Sequence, residues 1–157
     1  MIVVTGMART GTSNMVKTLL NMGYKTPAPK FLPEHEPIKE SNPKGFYELL
    51  DEVHHGVKTS EYKGMVVKLF PYSLNLTDPE LIDKLIVCTR DKDECLESYR
   101  PIHKAMKDPA TPEIVYEANI KLIEELKERL GHIEIDLSEF KTPEKVYRKI
   151  KNYLCQS

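Results

Sequence analysis

Long apolar runs, an excess of either charge and a pairable set of cysteines are all missing from this 157-residue chain. Lys and Arg number 23 and Asp and Glu 24, a net charge of -1, so no global field recruits nucleic acid or an anionic membrane. No stretch approaches the ~20 apolar residues of a membrane span. The N-terminal run Ile2-Val3-Val4 is too short for a signal peptide, and Gly6 and Arg9 interrupt it. Cys88, Cys95 and Cys155 are odd in number and lack metal-ligand spacing, which makes reduced thiols in a cytoplasmic protein the simplest expectation. Cys88 lies in an apolar run and is expected in the core. There is no internal repeat, low-complexity tract or domain boundary. Residues 1–157 are expected to form one domain, long enough to bury a substantial core.

What is present begins at the N-terminus. The segment Gly6-Met7-Ala8-Arg9-Thr10-Gly11-Thr12-Ser13 follows a short apolar run and leads into a helical pattern, so a strand turns into a helix there. Two glycines five apart let the backbone curl. The new helix then points its free N–H groups and positive dipole end at whatever occupies the curl. The spacing matches the phosphate-loop template G-x-x-x-x-G-K-[ST], except that Thr12 stands where the lysine belongs. Arg9, inside the loop, is the nearest replacement charge. An ordinary strand–turn–helix corner could also carry two glycines; the strand before and the hydroxyl pair after favour the anion cradle.

Four β-branched runs, 2–5, 65–69, 85–89 and 132–135, read as strands, separated mostly by helical patterns. That alternation predicts parallel strands joined by crossovers: a three-layer α/β fold with a small, mostly parallel sheet of four or five strands flanked by helices. The first helix is expected over about 11–22, with Met15, Leu19, Leu20 and Met22 inward. Residues 23–45 hold Pro27, Pro29, Pro33, Pro37 and Pro43, which excludes a regular helix or central strand and suggests a lid or acceptor-binding segment. Asp78-Pro79, Thr111-Pro112 and Thr142-Pro143 each read as an N-cap followed by an N1 proline. The helix after Thr111 carries Ile114, Val115, Ala118, Leu122, Ile123, Leu126 and Leu130 on one face and stops at Gly131. The last helix presents Val146, Ile150, Tyr153 and Leu154.

The third strand ends in Thr89-Arg90-Asp91. Ligands of parallel α/β sheets bind at the carboxyl ends of strands, so Arg90 falls at the same sheet edge as loop 6–13. Ser98 lies eight residues on, followed by Tyr99. A guanidinium and a hydroxyl suit a second phosphate. The plainer alternative pairs Arg90 with Asp91 or Asp93 and leaves Ser98 on a solvated face.

With these motifs the chain resembles the sulfotransferases that use 3′-phosphoadenosine-5′-phosphosulfate (PAPS), a family sharing the P-loop fold with nucleotide kinases. Their 5′-phosphosulfate loop is similar to residues 6–13, with a cation at the position of Arg9. Their 3′-phosphate motif is an arginine ending a strand and a serine eight residues later, as in Arg90, Ser98 and Tyr99. Asn42-Pro43-Lys44-Gly45-Phe46-Tyr47-Glu48 is similar to a stretch in many bacterial members, and the ending from Ile133 to Leu154 looks like their last strand and helix. The chain departs in being much shorter than the cytosolic animal enzymes and in lacking their C-terminal Arg-Lys-Gly segment. Their second strand ends Lys-Thr-His; here Lys68 matches the lysine, but Phe70 occupies the position of the catalytic histidine.

The resemblance implies that Ala8, Arg9, Thr10, Gly11, Thr12, Ser13, Arg90 and Ser98 bind PAPS, and its product PAP, without a metal. Arg9 would neutralise the leaving bridging oxygen and Lys68 would reach the sulfonate. The base is open. Glu48, beside Phe46-Tyr47, is one candidate, with a solvated glutamate as its plain alternative. His35 in the proline-rich segment and the adjacent His54 and His55 are others, while His103 and His132 look peripheral. No histidine pair has i, i+4 spacing, so a metal site is not expected. Lys44 is a candidate acceptor or cofactor contact. The acceptor is a small molecule or carbohydrate bearing a hydroxyl or amine; peptide tyrosine also remains open. Two rivals stand: a P-loop kinase or NTPase, which needs a lysine at position 12 and a strand-terminal aspartate, and a non-catalytic nucleotide-binding module.

Overall fold

Short runs of Val, Ile and Leu with no polar face need cover on both sides, and the sheet provides it. In the computed structural model, which describes residues 1–42, 45–107 and 109–156, β1 is Ile2–Thr5, β2 is Val66–Lys68, β3 is Lys84–Thr89 and β4 is His132–Asp136. All pair in parallel in the order β2-β1-β3-β4. Val4 lies opposite Lys68, and Thr5 opposite Val87. The two-residue side-chain period splits the strands between two cores. Ile2, Val4, Ile86, Cys88 and Ile135 face one of them, shared with Met15, Val16 and Leu19 of α1 (Thr12–Asn21) and with Val146 and Ile150 of α6 (Pro143–Leu154). Met1, Val3, Val67, Leu85 and Val87 face the other, covered by Leu74 of α3 (Pro71–Asn75) and by Ile123 and Leu126 of α5 (Pro112–Arg129). This is the predicted three-layer α/β arrangement, with four strands.

The remaining helices are α2 (Leu50–His55) and α4 (Lys92–Met106). A third cluster joins Met7 of the loop to Cys95, Leu96, Tyr99 and Ile102 of α4 and Tyr116 of α5. Burying Met7 there contributes about 2 kcal/mol and seats the loop on α4. The chain leaves β1 outward to β2, then returns across the sheet to β3 and β4. Its direction reverses between β1 and β3, where open parallel sheets form a crevice.

Several expectations need refinement. The proline-rich segment holds a 3₁₀ run, Pro33–Ser41, which tolerates Pro33 and Pro37 because its bonds are few and short-range. Asp78 caps only a 3₁₀ turn, Pro79–Leu81. On α5 the buried residues are Tyr116, Ile123 and Leu126, while Ile114 is 61% exposed. The inward stripe is thus set by Tyr116 packing on the loop-seating cluster. α5 ends with Leu130 in extended backbone, so Gly131 is not needed as a left-handed stop. Among the described residues no helix is long and apolar enough to cross a membrane.

Candidate anion site and its buried flank

The curl of loop 6–13 depends on backbone few residues adopt. Gly6 has φ 153°, and a Cβ there would sit 2.4 Å from the Cys88 carbonyl oxygen and 2.6 Å from Thr10 Oγ1. Arg9 and Gly11 are both left-handed, at φ 75° and 96°. The Met7 carbonyl accepts from the Thr10 amide (3.2 Å) and from Thr10 Oγ1 (2.7 Å), so Thr10 closes the turn from inside. The Ala8 carbonyl accepts from the Cys95 thiol at 3.2 Å. Gly11 caps α1 without a side chain, and no acidic residue sits in the first turn. The first-turn amides therefore have no intrahelical acceptor, and the dipole end carries no neutralising charge. Thr12 and Ser13 line this end and are largely buried.

The two arginines predicted at separate sites meet. Arg9 Nε donates to Ser98 Oγ at 2.9 Å, and Arg90, just past β3, donates from a terminal nitrogen to the Arg9 carbonyl at 3.4 Å. Burial lowers the Arg9 pKa from its usual value, and the charge of Arg90 lowers it further. A bound anion would relieve the repulsion between these two charges. Arg90 does form an ion pair, but with Glu94 (3.2 Å), one helical turn on, and not with Asp91 or Asp93. Asp91 instead caps α4 by accepting from the Glu94 amide. That i, i+4 pair was readable from spacing once Asp91 is taken as the cap. Burial also pushes the Cys95 thiol up to about 11, so beside these cations it remains a neutral thiol.

On the other side of the loop lies a buried ion-paired cluster. Lys68, at the carboxyl end of β2, is 5% exposed. Its ammonium donates to the Phe46 carbonyl at 2.6 Å and pairs with Glu48 Oε1 at 2.7 Å. Glu48 Oε2 lies 2.9 Å from His35 Nε2. Burial lowers the Lys68 pKa, and Glu48 opposes that shift. The Phe46 carbonyl also accepts from Ser13 Oγ at 3.4 Å, and Ser13 Oγ accepts from Asn42 Nδ2 at 3.2 Å. The anion loop and the Lys68 cluster thus share one carbonyl oxygen. Phe46 and Asn42 entered the sequence reading only through a motif; a backbone acceptor leaves no compositional signal.

Glu48 is neither a lone carboxylate among apolar groups nor a solvated helical residue. It precedes α2 in a stretch without regular secondary structure and is almost enclosed between Lys68 and His35. His54 and His55 end α2 with exposed side chains, and the cluster includes neither. His103 packs edge-on against Tyr99, its buried Nε2 unpartnered among the described residues. His132 neighbours Glu134 at 3.6 Å. Lys44 lies outside the described residues. No group of three or more potential metal ligands occurs among the described residues. Asp136, at the end of β4, caps the following 3₁₀ turn by accepting from the Ser138 amide. No protein-family model matches the chain, and no curated protein matches it.

Proposed function

We propose that this protein is a sulfotransferase that moves the sulfuryl group of PAPS to a hydroxyl or amine acceptor, releasing PAP. The observation that carries this reading is the convergence of Arg9, Ser98 and Arg90 at the crevice between β1 and β3. One side of the crevice offers a dipole end and hydroxyls, the other a guanidinium and a serine. That donor set is cationic, which fits a doubly phosphorylated nucleotide. PAPS supplies the activated sulfuryl group. The α1 amides with Thr12 and Ser13 would hold the 5′-phosphate side, and Arg90 with Ser98 the 3′-phosphate. Arg9 would offset the charge left on the bridging oxygen as its bond to sulfur breaks. Among the described residues, Phe46 and Glu48 occupy two of the three Lys68 donors, which leaves one for the sulfonate. As the acceptor oxygen or nitrogen bonds to sulfur, its proton would pass to Glu48, the carboxylate nearest Lys68. The free thiols of Cys88, Cys95 and Cys155 agree with a cytoplasmic setting.

A second reading has its own observation. Lys68 and Glu48 already satisfy each other and are nearly fully buried, as in a nucleotide-binding module without turnover. A kinase is disfavoured by Thr12 and by Arg90 at the strand end. Thermal unfolding separates these readings. PAP at about 100 times its Kd stabilises the sulfotransferase by about 2.7 kcal/mol, whereas ADP and ATP give less. PAPS supplied with 4-nitrophenol, tyramine and glucosamine then yields PAP and a sulfated product, and Arg9→Ala abolishes both binding and turnover. Stabilisation by Mg-ATP and not by PAP would sink the proposal. PAP binding with no sulfation of any acceptor would favour the module.

A further inference from the structure

The proline-rich segment and the anion loop are joined by a continuous hydrogen-bonded chain. His35 Nδ1 accepts from the Leu32 amide at 3.0 Å. A nitrogen that accepts carries no proton, so the neutral ring holds its proton on Nε2 and donates it to Glu48 Oε2 at 2.9 Å. The other Glu48 oxygen meets Lys68 at 2.7 Å, Lys68 donates to the Phe46 carbonyl at 2.6 Å, and Ser13 of the loop shares that carbonyl. His35 is 5% exposed, and its ring lies on Phe46 with centroids 4.3 Å apart. Two hydrogen bonds and one tilted ring contact leave the imidazole a single orientation. Its basic lone pair is already used by the Leu32 amide, which removes His35 from the candidate bases.

We infer that His35 is a positioning residue, which fixes the Glu48 carboxylate so that Glu48 in turn holds the Lys68 ammonium at the mouth of the anion loop. The catalytic part of this inference rests on the sulfotransferase reading. Without the Nε2–H donor, Glu48 Oε2 would be a buried, unsatisfied acceptor. The carboxylate would then turn both oxygens toward Lys68 and draw the ammonium off its place. A displacement of about 1 Å in such a group costs up to about 100-fold in rate.

Two amide side chains separate this role from a merely structural one. Asparagine places its polar atoms near the His Nδ1 position, so His35→Asn keeps an acceptor for Leu32 and loses the donor to Glu48. Glutamine reaches the Nε2 position, so His35→Gln does the reverse. The ε-carbon NMR signal of Lys68 reports the pair without any ligand, and PAP release from PAPS, with 4-nitrophenol or water as acceptor, reports the reaction. Positioning predicts that His35→Asn shifts the Lys68 signal and lowers kcat about tenfold or more with KM for PAPS nearly unchanged, while His35→Gln restores both. The opposite order, glutamine impaired and asparagine native, would show that His35 only caps Leu32 and would overturn the inference. An unmoved Lys68 signal, or a moved signal with native kcat, would overturn it equally. If the native chain neither binds PAP nor turns over PAPS, the sulfotransferase reading falls, and the Lys68 signal alone decides whether His35 holds the pair. Should the asparagine variant not fold, as shown by thermal unfolding, His35→Ala takes its place against glutamine.

Discussion

Arg9 combines three destabilising features: a left-handed backbone at φ 75°, partial burial, and the charge of Arg90 nearby. The left-handed conformation alone costs a non-glycine residue about 1–2 kcal/mol. On the proposed function, such strain in the loop would serve anion binding at the expense of stability. Arg9→Gly should therefore leave the unfolding free energy unchanged or raise it by up to about 1 kcal/mol, since glycine's entropic cost offsets part of the relief. PAP-dependent stabilisation should vanish in the same variant. A loss of more than about 2 kcal/mol in urea unfolding would instead make the Arg9–Ser98 bond a structural strut. Gly6 behaves oppositely. Gly6→Ala drives a Cβ against the Cys88 carbonyl at a backbone angle alanine resists, and should cost about 3 kcal/mol. At this scale the loop glycines and Arg9 were legible because their chemistry is local. Glu48 was named as a candidate, but its setting was not legible, since its partners His35 and Lys68 lie 13 and 20 residues away in sequence.

Caps decide the helix boundaries, and two that look alike in sequence differ in space. Thr111 accepts from the Ile114 amide at the start of α5, whereas Thr142 makes no side-chain cap bond at the start of α6. Thr111→Ala should lower stability by about 1 kcal/mol and Thr142→Ala by only a few tenths, measured by urea unfolding. Equal losses would refute the distinction. The strands β1, β2 and β3 were legible because largely β-branched runs suit a sheet covered on both sides, whereas β4 alternates apolar Ile133 and Ile135 with His132, Glu134 and Asp136. The α5 face was read less well. The apolar stripe read from the sequence includes Ile114, which is exposed, while Tyr116 supplies the buried contact with Met7 and α4 instead. A helical period gives the stripe, and packing partners choose which edge of it is buried.

The whole molecule carries nearly balanced charge, so its acid stability depends on individual pairs. Lys127 holds the Glu134 carboxyl below its ordinary value of 4.5. Asp136 is also lowered: burial pushes it up, but hydrogen bonds from Ser138 and Thr89 outweigh that. A carboxylate depressed in the folded state adds stability above its unfolded pKa and loses it as pH falls through the folded value. The thermal midpoint should hold from about pH 7 to pH 5 and drop between about pH 4.5 and pH 3, with a smaller drop in Glu134→Gln. A midpoint flat to pH 3 would contradict this. By itself, the sequence determined the α/β class, the sheet and the two cationic motifs, because each rests on local periodicity or on residues adjacent along the chain. Only the tertiary structure decided that Arg9 and Ser98 bond directly, that Arg90 backs the loop, and that His35, Glu48 and Lys68 form one buried chain. Those contacts follow from the order β2-β1-β3-β4, which brings three strand ends to one edge, and sequence spacing carries no record of which strands become neighbours.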